Sequence, residues 1–387
     1  MDGKTAATEP DLGRAPAGGP EPGSHVHRTP RGWWARWSAP LALAWSAVTA
    51  VWAVTWAVGL LPSPFTDPAS ASYGAVFNTA DPLVGSAFTA VLGLLGVGCG
   101  LAALRVRGGP GGLAVQVGAW LLAATVLLAL FHGGLLPVLG YTPVTLVLMW
   151  FEPGLGTAYL TEIAEPETVF LVHCLAGGLL WMMAAIGLGR VRRGACADCG
   201  RTSGWTPERE AATRAKALRI GRIAVAVAVA CALLYPAVRF PWLFGMAVGM
   251  PEASFADVQS SGQIVAVGVG LGTVALGGAV LMIGLVSNWG VRFPRWMLGL
   301  AGRRVPVSLA VVPASVAAIA FAALGRGLIL AVVGADFPLE VGGSNLIALG
   351  AMFPSGLALA AATAAYAVRR RAECASCGRG EPEALPR

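Results

Sequence analysis

Two short cysteine motifs carry the most specific chemistry in the chain. Cys196-Ala-Asp-Cys199-Gly200-Arg201 and Cys374-Ala-Ser-Cys377-Gly378-Arg379 share the pattern Cys-x-x-Cys-Gly-Arg. The tight turn points two thiolates at one metal, as in a zinc knuckle, and structural zinc takes four such ligands in a tetrahedron. Each motif supplies two, so one zinc ion held by Cys196, Cys199, Cys374 and Cys377 is the expected cofactor. Two other readings of the spacing stay open: a redox dithiol, or a juxtamembrane turn that binds nothing. A reducing cytoplasm disfavours a structural disulfide. Cys99, Cys174 and Cys231 fall in apolar stretches and read as small packing residues.

Four further ionisable residues lie inside apolar stretches, where charge is costly and points to function by default. Arg239 follows Pro236, which should kink its helix. Arg326, His132 and His173 sit near the ends of three other stretches, at similar depth. One reading is snorkelling, with the side chains pairing to acids in the adjacent loops. The other is an outward-facing polar cavity in which Arg239 and Arg326 hold an anionic group through their planar forks. A third assignment makes His132 and His173 the axial ligands of one haem. No phosphate-binding loop, His-Glu-x-x-His or Gly-x-Ser-x-Gly occurs, and no residue is assigned a catalytic role. Gly96-x-x-x-Gly100 and Gly268-x-Gly270-x-Gly272 read as small-residue helix packing.

The elements that must position these residues are membrane helices. Of 387 residues, 56% are hydrophobic and only 12% charged, with mean hydropathy +0.68. That balance excludes a soluble globular enzyme and a disordered regulator. About 20 apolar residues cross a bilayer. Eight stretches qualify: Leu41–Leu61, Leu83–Leu104, Leu113–Leu136, Val169–Leu188, Ile223–Met246, Ile264–Val286, Val307–Leu330 and Leu346–Val368. The run Val144–Phe151 is too short and reads as interfacial. No cleavable signal is expected before the first span. All Lys and Arg except Arg239 and Arg326, 25 of 27, fall on one side, and the four opposite loops hold ten carboxylates and none of them. The positive-inside rule then puts both termini in the cytoplasm of a multi-pass plasma-membrane protein. The basic balance is thus an orientation signal, and no nucleic-acid partner is expected. Trp33, Trp34 and Trp37, interleaved with Arg31 and Arg36, fit an inner-leaflet anchor.

The two halves read alike. Arg190, Arg192 and Arg193 precede the first cysteine motif, as Arg369, Arg370 and Arg371 precede the second. Trp56-Ala-Val-Gly59 matches Trp242-Leu-Phe-Gly245, and the segment around His132 matches that around Arg326. The expected fold is all-α: a polytopic bundle of eight transmembrane helices in two parallel four-helix repeats. Its parts are a disordered tail 1–37, a first repeat 38–201, a linker 202–222, a second repeat 223–379 and a disordered tail 380–387. The arginine-rich stop with Cys-x-x-Cys-Gly-Arg, together with Tyr235-Pro-Ala-Val-Arg239-Phe-Pro-Trp242-Leu-Phe-Gly245, resembles uncharacterised multi-pass membrane proteins of high-GC actinobacteria. The resemblance implies a family and a compartment, and no activity. The first half departs from the second motif, with Ala53 where Arg239 falls.

Three functions compete on these residues. The first is a permease-like or ligand-binding protein taking a small anionic ligand or lipid, and the second a non-transporting scaffold or sensor with a four-cysteine zinc platform. The third is a haem-binding redox protein. The lipid bilayer is the partner common to all three.

Overall fold

Long runs rich in Leu, Val, Ala and Gly leave the backbone one way to satisfy its own polar groups in lipid, which is to coil into helices. The computed structural model describes residues 33–106, 108–260, 270–297, 299–333 and 343–381, which form helices joined by turns, short 3₁₀ segments and a single isolated bridge. In chain order the helices are α1 (Trp33–Ala57), α2 (Pro82–Arg105), α3 (Gly109–Thr125), α4 (Leu135–Leu148) and α5 (Pro153–Ala164). Then come α6 (Pro166–Arg192), α7 (Pro207–Ala232), α8 (Leu234–Arg239), α9 (Glu252–Ser260) and α10 (Leu271–Gly284). The chain closes with α11 (Val307–Val333), α12 (Gly343–Gly350) and α13 (Met352–Arg369).

Seven helical stretches among the described residues are long and apolar enough to cross a membrane. They are α1, α2, α3 with its π-turn to Leu130, α6, α7 running through α8 to Phe244, α11, and Leu346–Arg369. The expected sixth span, Ile264–Val286, contributes α10, a shorter apolar helix. Its residues 264–269 lie outside the described residues, as do the expected tail 1–32 with Arg31, tail residues 382–387, Gly268, Asp336 and Glu340.

Several boundaries differ from the expectation for local reasons. The expected tail ends at residue 37, yet α1 starts at Trp33, so Trp33, Trp34, Arg36 and Trp37 are helical. The third span stops at Leu130, where a π-turn ends the helix at Phe131 ahead of Gly133-Gly134, instead of running to Leu136. Of the run Val144–Phe151, the part up to Leu148 lies in α4. The linker 202–222 is mostly the first half of α7. Thr206 caps it by accepting from the Arg209 amide, Pro207 fills the first turn, and Glu208 and Glu210 face its positive end. As expected, Pro236 breaks its helix: α7 ends at Ala232, whose carbonyl a proline four residues on can neither bond nor avoid.

Helix pairing follows one order in both halves. α1 packs on α2 and α6, and α3 on α6; α7 packs on α10 and α13, and α11 on α13. Small residues let backbones approach: added methyl groups at Gly93, Gly96 and Gly100 of α2 would strike Ala50, Ser46 and Leu43 of α1. Buried hydroxyls along these faces are satisfied within their own helices, with Ser46, Thr49, Ser86 and Thr89 each donating to the carbonyl four residues back. The halves meet where Gly74 and Gly327 touch backbone to backbone, and where Gly133 packs against Leu324 so closely that an added methyl group would strike it.

Candidate metal centre

The helix that ends in each arginine run delivers one cysteine turn. After α6, the Gly200 amide donates to Cys196 O at 2.8 Å and the Cys196 amide to Arg201 O at 2.9 Å. After α13, Gly378 N donates to Cys374 O at 2.8 Å and Cys374 N to Arg379 O at 3.0 Å. Gly200 and Gly378 take φ of +75° and +64°, the left-handed conformation that closes such a turn and that glycine adopts without strain.

The two turns meet like with like. Cys196 Sγ lies 3.9 Å from Cys374 Sγ, and Cys199 Sγ lies 3.6 Å from Cys377 Sγ. All four sulfurs fall within 4.8 Å of one another. A zinc tetrahedron with Zn–S of about 2.3 Å has sulfur–sulfur edges of about 3.8 Å. Both paired distances match that edge and far exceed a disulfide bond of about 2.05 Å. The contacts beside the sulfurs keep the same 178-residue offset, since Ser376 bonds Asp198 and Arg379 Nη1 reaches Arg201 O.

Burial and the neighbouring thiols shift the proton affinities of the cluster. Burial pushes the Cys377 thiol up to about 12, with the neighbouring thiols of Cys199, Cys196 and Cys374 adding to the shift. Burial raises Cys199 as well. Burial alone would raise Cys196, but hydrogen bonds from the amides of Cys199 and Asp198, together with those to the Cys199 and Cys377 thiols, bring it below its usual value. Four thiolates this close repel one another, and a divalent cation removes the conflict.

Behind the sulfurs lies a network that the spacing of the motifs does not disclose. Arg201 forms a bidentate pair with Glu210 at 2.8 and 3.1 Å, and both residues are buried, at 4% and 3% exposure. The hydrogen bond to Glu210 raises Arg201 above its ordinary pKa, so the guanidinium stays charged. Its Nη1 also donates across to Ala372 O and Arg379 O, at 2.9 and 3.0 Å. Arg371 returns the contact by donating to Cys199 O at 3.1 Å, and Trp205 donates to Glu210. Arg190 Nη1 holds Ala197 O and Asp198 O. A divalent metal held by four thiolates would carry two net negative charges, which the nearby guanidinium groups of Arg190, Arg201 and Arg371 would oppose. The signal for Arg201 was present in the arginine repeated after each Cys-Gly; Glu210, within the charged stretch 202–222, carried none.

The four intramembrane candidates are not gathered at one site. Arg326 turns its Nη2 to two carbonyls of the first half, Gly74 O at 3.1 Å and Phe131 O at 3.3 Å. His132, buried, accepts from the Gly134 amide at Nδ1, which leaves Nε2 to face Glu167 Oε1 at 2.9 Å. His173 stacks on Trp45 at 4.8 Å and meets Trp52 edge-on. Its Nε2 lies 2.7 Å from Thr49 Oγ1, whose own proton goes to Trp45 O. Each histidine thus commits Nε2 to a protein partner. Arg239 stands over the rings of Trp242 and Tyr235, 4.1 and 5.0 Å from their centroids. It lines a cleft of about 1370 Å³ between the halves, walled by α4, α10 and α11 and the 3₁₀ segment Pro68–Tyr73.

No protein-family model, curated protein or solved structure matches this chain.

Proposed function

We propose that this is a non-transporting membrane scaffold or sensor whose two halves are clamped by a structural zinc ion. The observation that carries the reading is the convergence of Cys196, Cys199, Cys374 and Cys377, from sequence positions 178 apart, within 4.8 Å. All four zinc positions are then thiolates, the closed set of a structural site rather than the open one of a catalytic site. The constant offset and the shared pairing order support two parallel four-helix repeats of eight spans, with α10 belonging to the sixth. The arginine asymmetry supports the orientation with both termini and the cysteines in the cytoplasm of a plasma membrane. Membership in the actinobacterial group resembled by the motifs belongs to the same proposal.

Elemental analysis of the purified protein tests the clamp. About one zinc per chain is expected, lost when Cys196→Ser is combined with Cys377→Ser; zinc-free protein with freely reactive thiols contradicts it. A reporter after Arg387 is expected to behave as cytoplasmic and one near Glu162 as external. A permease-like protein is the second reading, favoured by the cleft that Arg239 lines. Solute flux in proteoliposomes, abolished by Arg239→Gln, would establish it over the scaffold.

A further inference from the structure

We propose that the cleft between the halves is a binding site for an acidic phospholipid, with Arg239 at its headgroup. Among the described residues lining the cleft, Arg239 carries the one charge, and no carboxylate faces it. Tyr73, Tyr141 and Tyr235 add phenol hydroxyls, and most of the remaining wall is apolar, supplied by residues such as Leu271, Val316 and Phe321. That distribution is the complement of an amphiphile, one anionic head on a long apolar body.

Size separates a lipid from a small anion. At about 1370 Å³ the cleft exceeds the roughly 300–1,000 Å³ of pockets for small molecules. Its wall on α11 runs from Pro313 to Ala331, a helix rise of about 27 Å, close to the roughly 30 Å hydrocarbon thickness. A free phosphate would occupy only the arginine end and leave the apolar wall unfilled. Acyl chains fill that wall and remove it from water.

Arg239 is poised at the correct end. α7 starts beside the cysteine cluster, where Glu210 meets Arg201, and its 26 residues rise about 39 Å before α8 and Arg239 follow. Arg239 therefore lies at the membrane face opposite the cysteines, near headgroup depth. Two aromatic rings hold its guanidinium face, and rings leave the in-plane N–H donors unspent. Its buried Nε has no hydrogen-bond partner among the described residues. A guanidinium fork on a phosphate diester is the pairing these donors favour.

The test uses full-length protein in neutral detergent, its zinc content checked to be constant, so that lipid binding is read separately from the clamp. Native mass spectrometry and thermal melts are run with phosphatidylglycerol, with phosphatidylcholine of the same chains, and with inorganic phosphate. Phosphatidylglycerol is expected to be retained and to raise Tm, whereas the other two have little effect. Arg239→Gln should weaken that retention about tenfold or more, the usual range for a lost charge-assisted contact. Gly278→Leu provides a second variant, because a Cβ there meets nothing within 4 Å and the new side chain enters the cleft. It should abolish phosphatidylglycerol retention with Arg239 still in place. Equal retention of both lipids by wild type, or retention of phosphatidylglycerol unchanged by Gly278→Leu, overturns the site. Stabilisation by inorganic phosphate as large as that by phosphatidylglycerol overturns the lipid assignment.

Discussion

Arg201 and Arg239 both hold a guanidinium away from bulk water, and they differ in what surrounds it. Arg201 is met on every side by its own chain: a bidentate carboxylate from Glu210 and carbonyls of Ala372 and Arg379. Arg239 is met by ring faces and an apolar cleft. A buried cation whose donors are all spent holds structure together. One whose donors are left over invites a partner from outside. Arg326 stands between the two: carbonyls of the opposite half take its Nη2, while its buried Nε, like that of Arg239, has no hydrogen-bond partner among the described residues.

Substitutions can break or sharpen that contrast. The largest loss is expected from removing one ligand per turn, Cys196→Ser with Cys377→Ser. Structural zinc contributes about 10 kcal/mol or more in small domains, so a fall in Tm of roughly 10 °C or more should accompany loss of the metal. Next comes Glu210→Gln, which leaves Arg201 buried without its carboxylate and should cost about 3–5 kcal/mol in thermal or denaturant unfolding. Combining Arg201→Met with Glu210→Leu should recover much of that loss, since an apolar pair avoids the desolvation of both charges. If the double variant is no better than the single one, the hydrogen bonds from Arg201 to Ala372 and Arg379 matter more than the ion pair.

Smaller effects separate the two far-end arginines. Arg326→Gln should destabilise by roughly 1.5–3 kcal/mol through the weakened charged hydrogen bonds to Gly74 and Phe131, and no anion should restore it. Arg239→Gln should have the least effect of the four in lipid-free detergent, because it removes ring contacts worth about 0.5–2 kcal/mol. A reversed order, with Arg239 the more destabilising, would erase the distinction between a structural and a ligand-facing cation.

The cysteine centre was legible because its information is local. Cys-x-x-Cys followed by a glycine specifies a turn, and the repeat of the motif after an arginine stop places both turns at one face. The network behind it was not legible, because Glu210 is an ordinary helix acid until α7 folds back under the turn that carries Arg201. The partners of Arg326 were hidden for a related reason. Hydropathy reports that a charge lies in an apolar stretch, whereas its acceptors, Gly74 O and Phe131 O, are backbone atoms with no sequence signature. The end of α3 at a π-turn and the helical character of Pro207–Arg222 were obscured in turn. Apolar composition does not distinguish a continuing helix from one that ends, and charge does not distinguish a linker from a helix extending beyond lipid.

Four thiolates from the two halves are proposed to share one metal. X-ray absorption at the zinc edge of the purified full-length protein measures this directly. Four sulfur neighbours at about 2.3 Å, falling away in the Cys196→Ser, Cys377→Ser variant, are the predicted result. A first shell containing nitrogen or oxygen, or protein that retains no zinc, would contradict it.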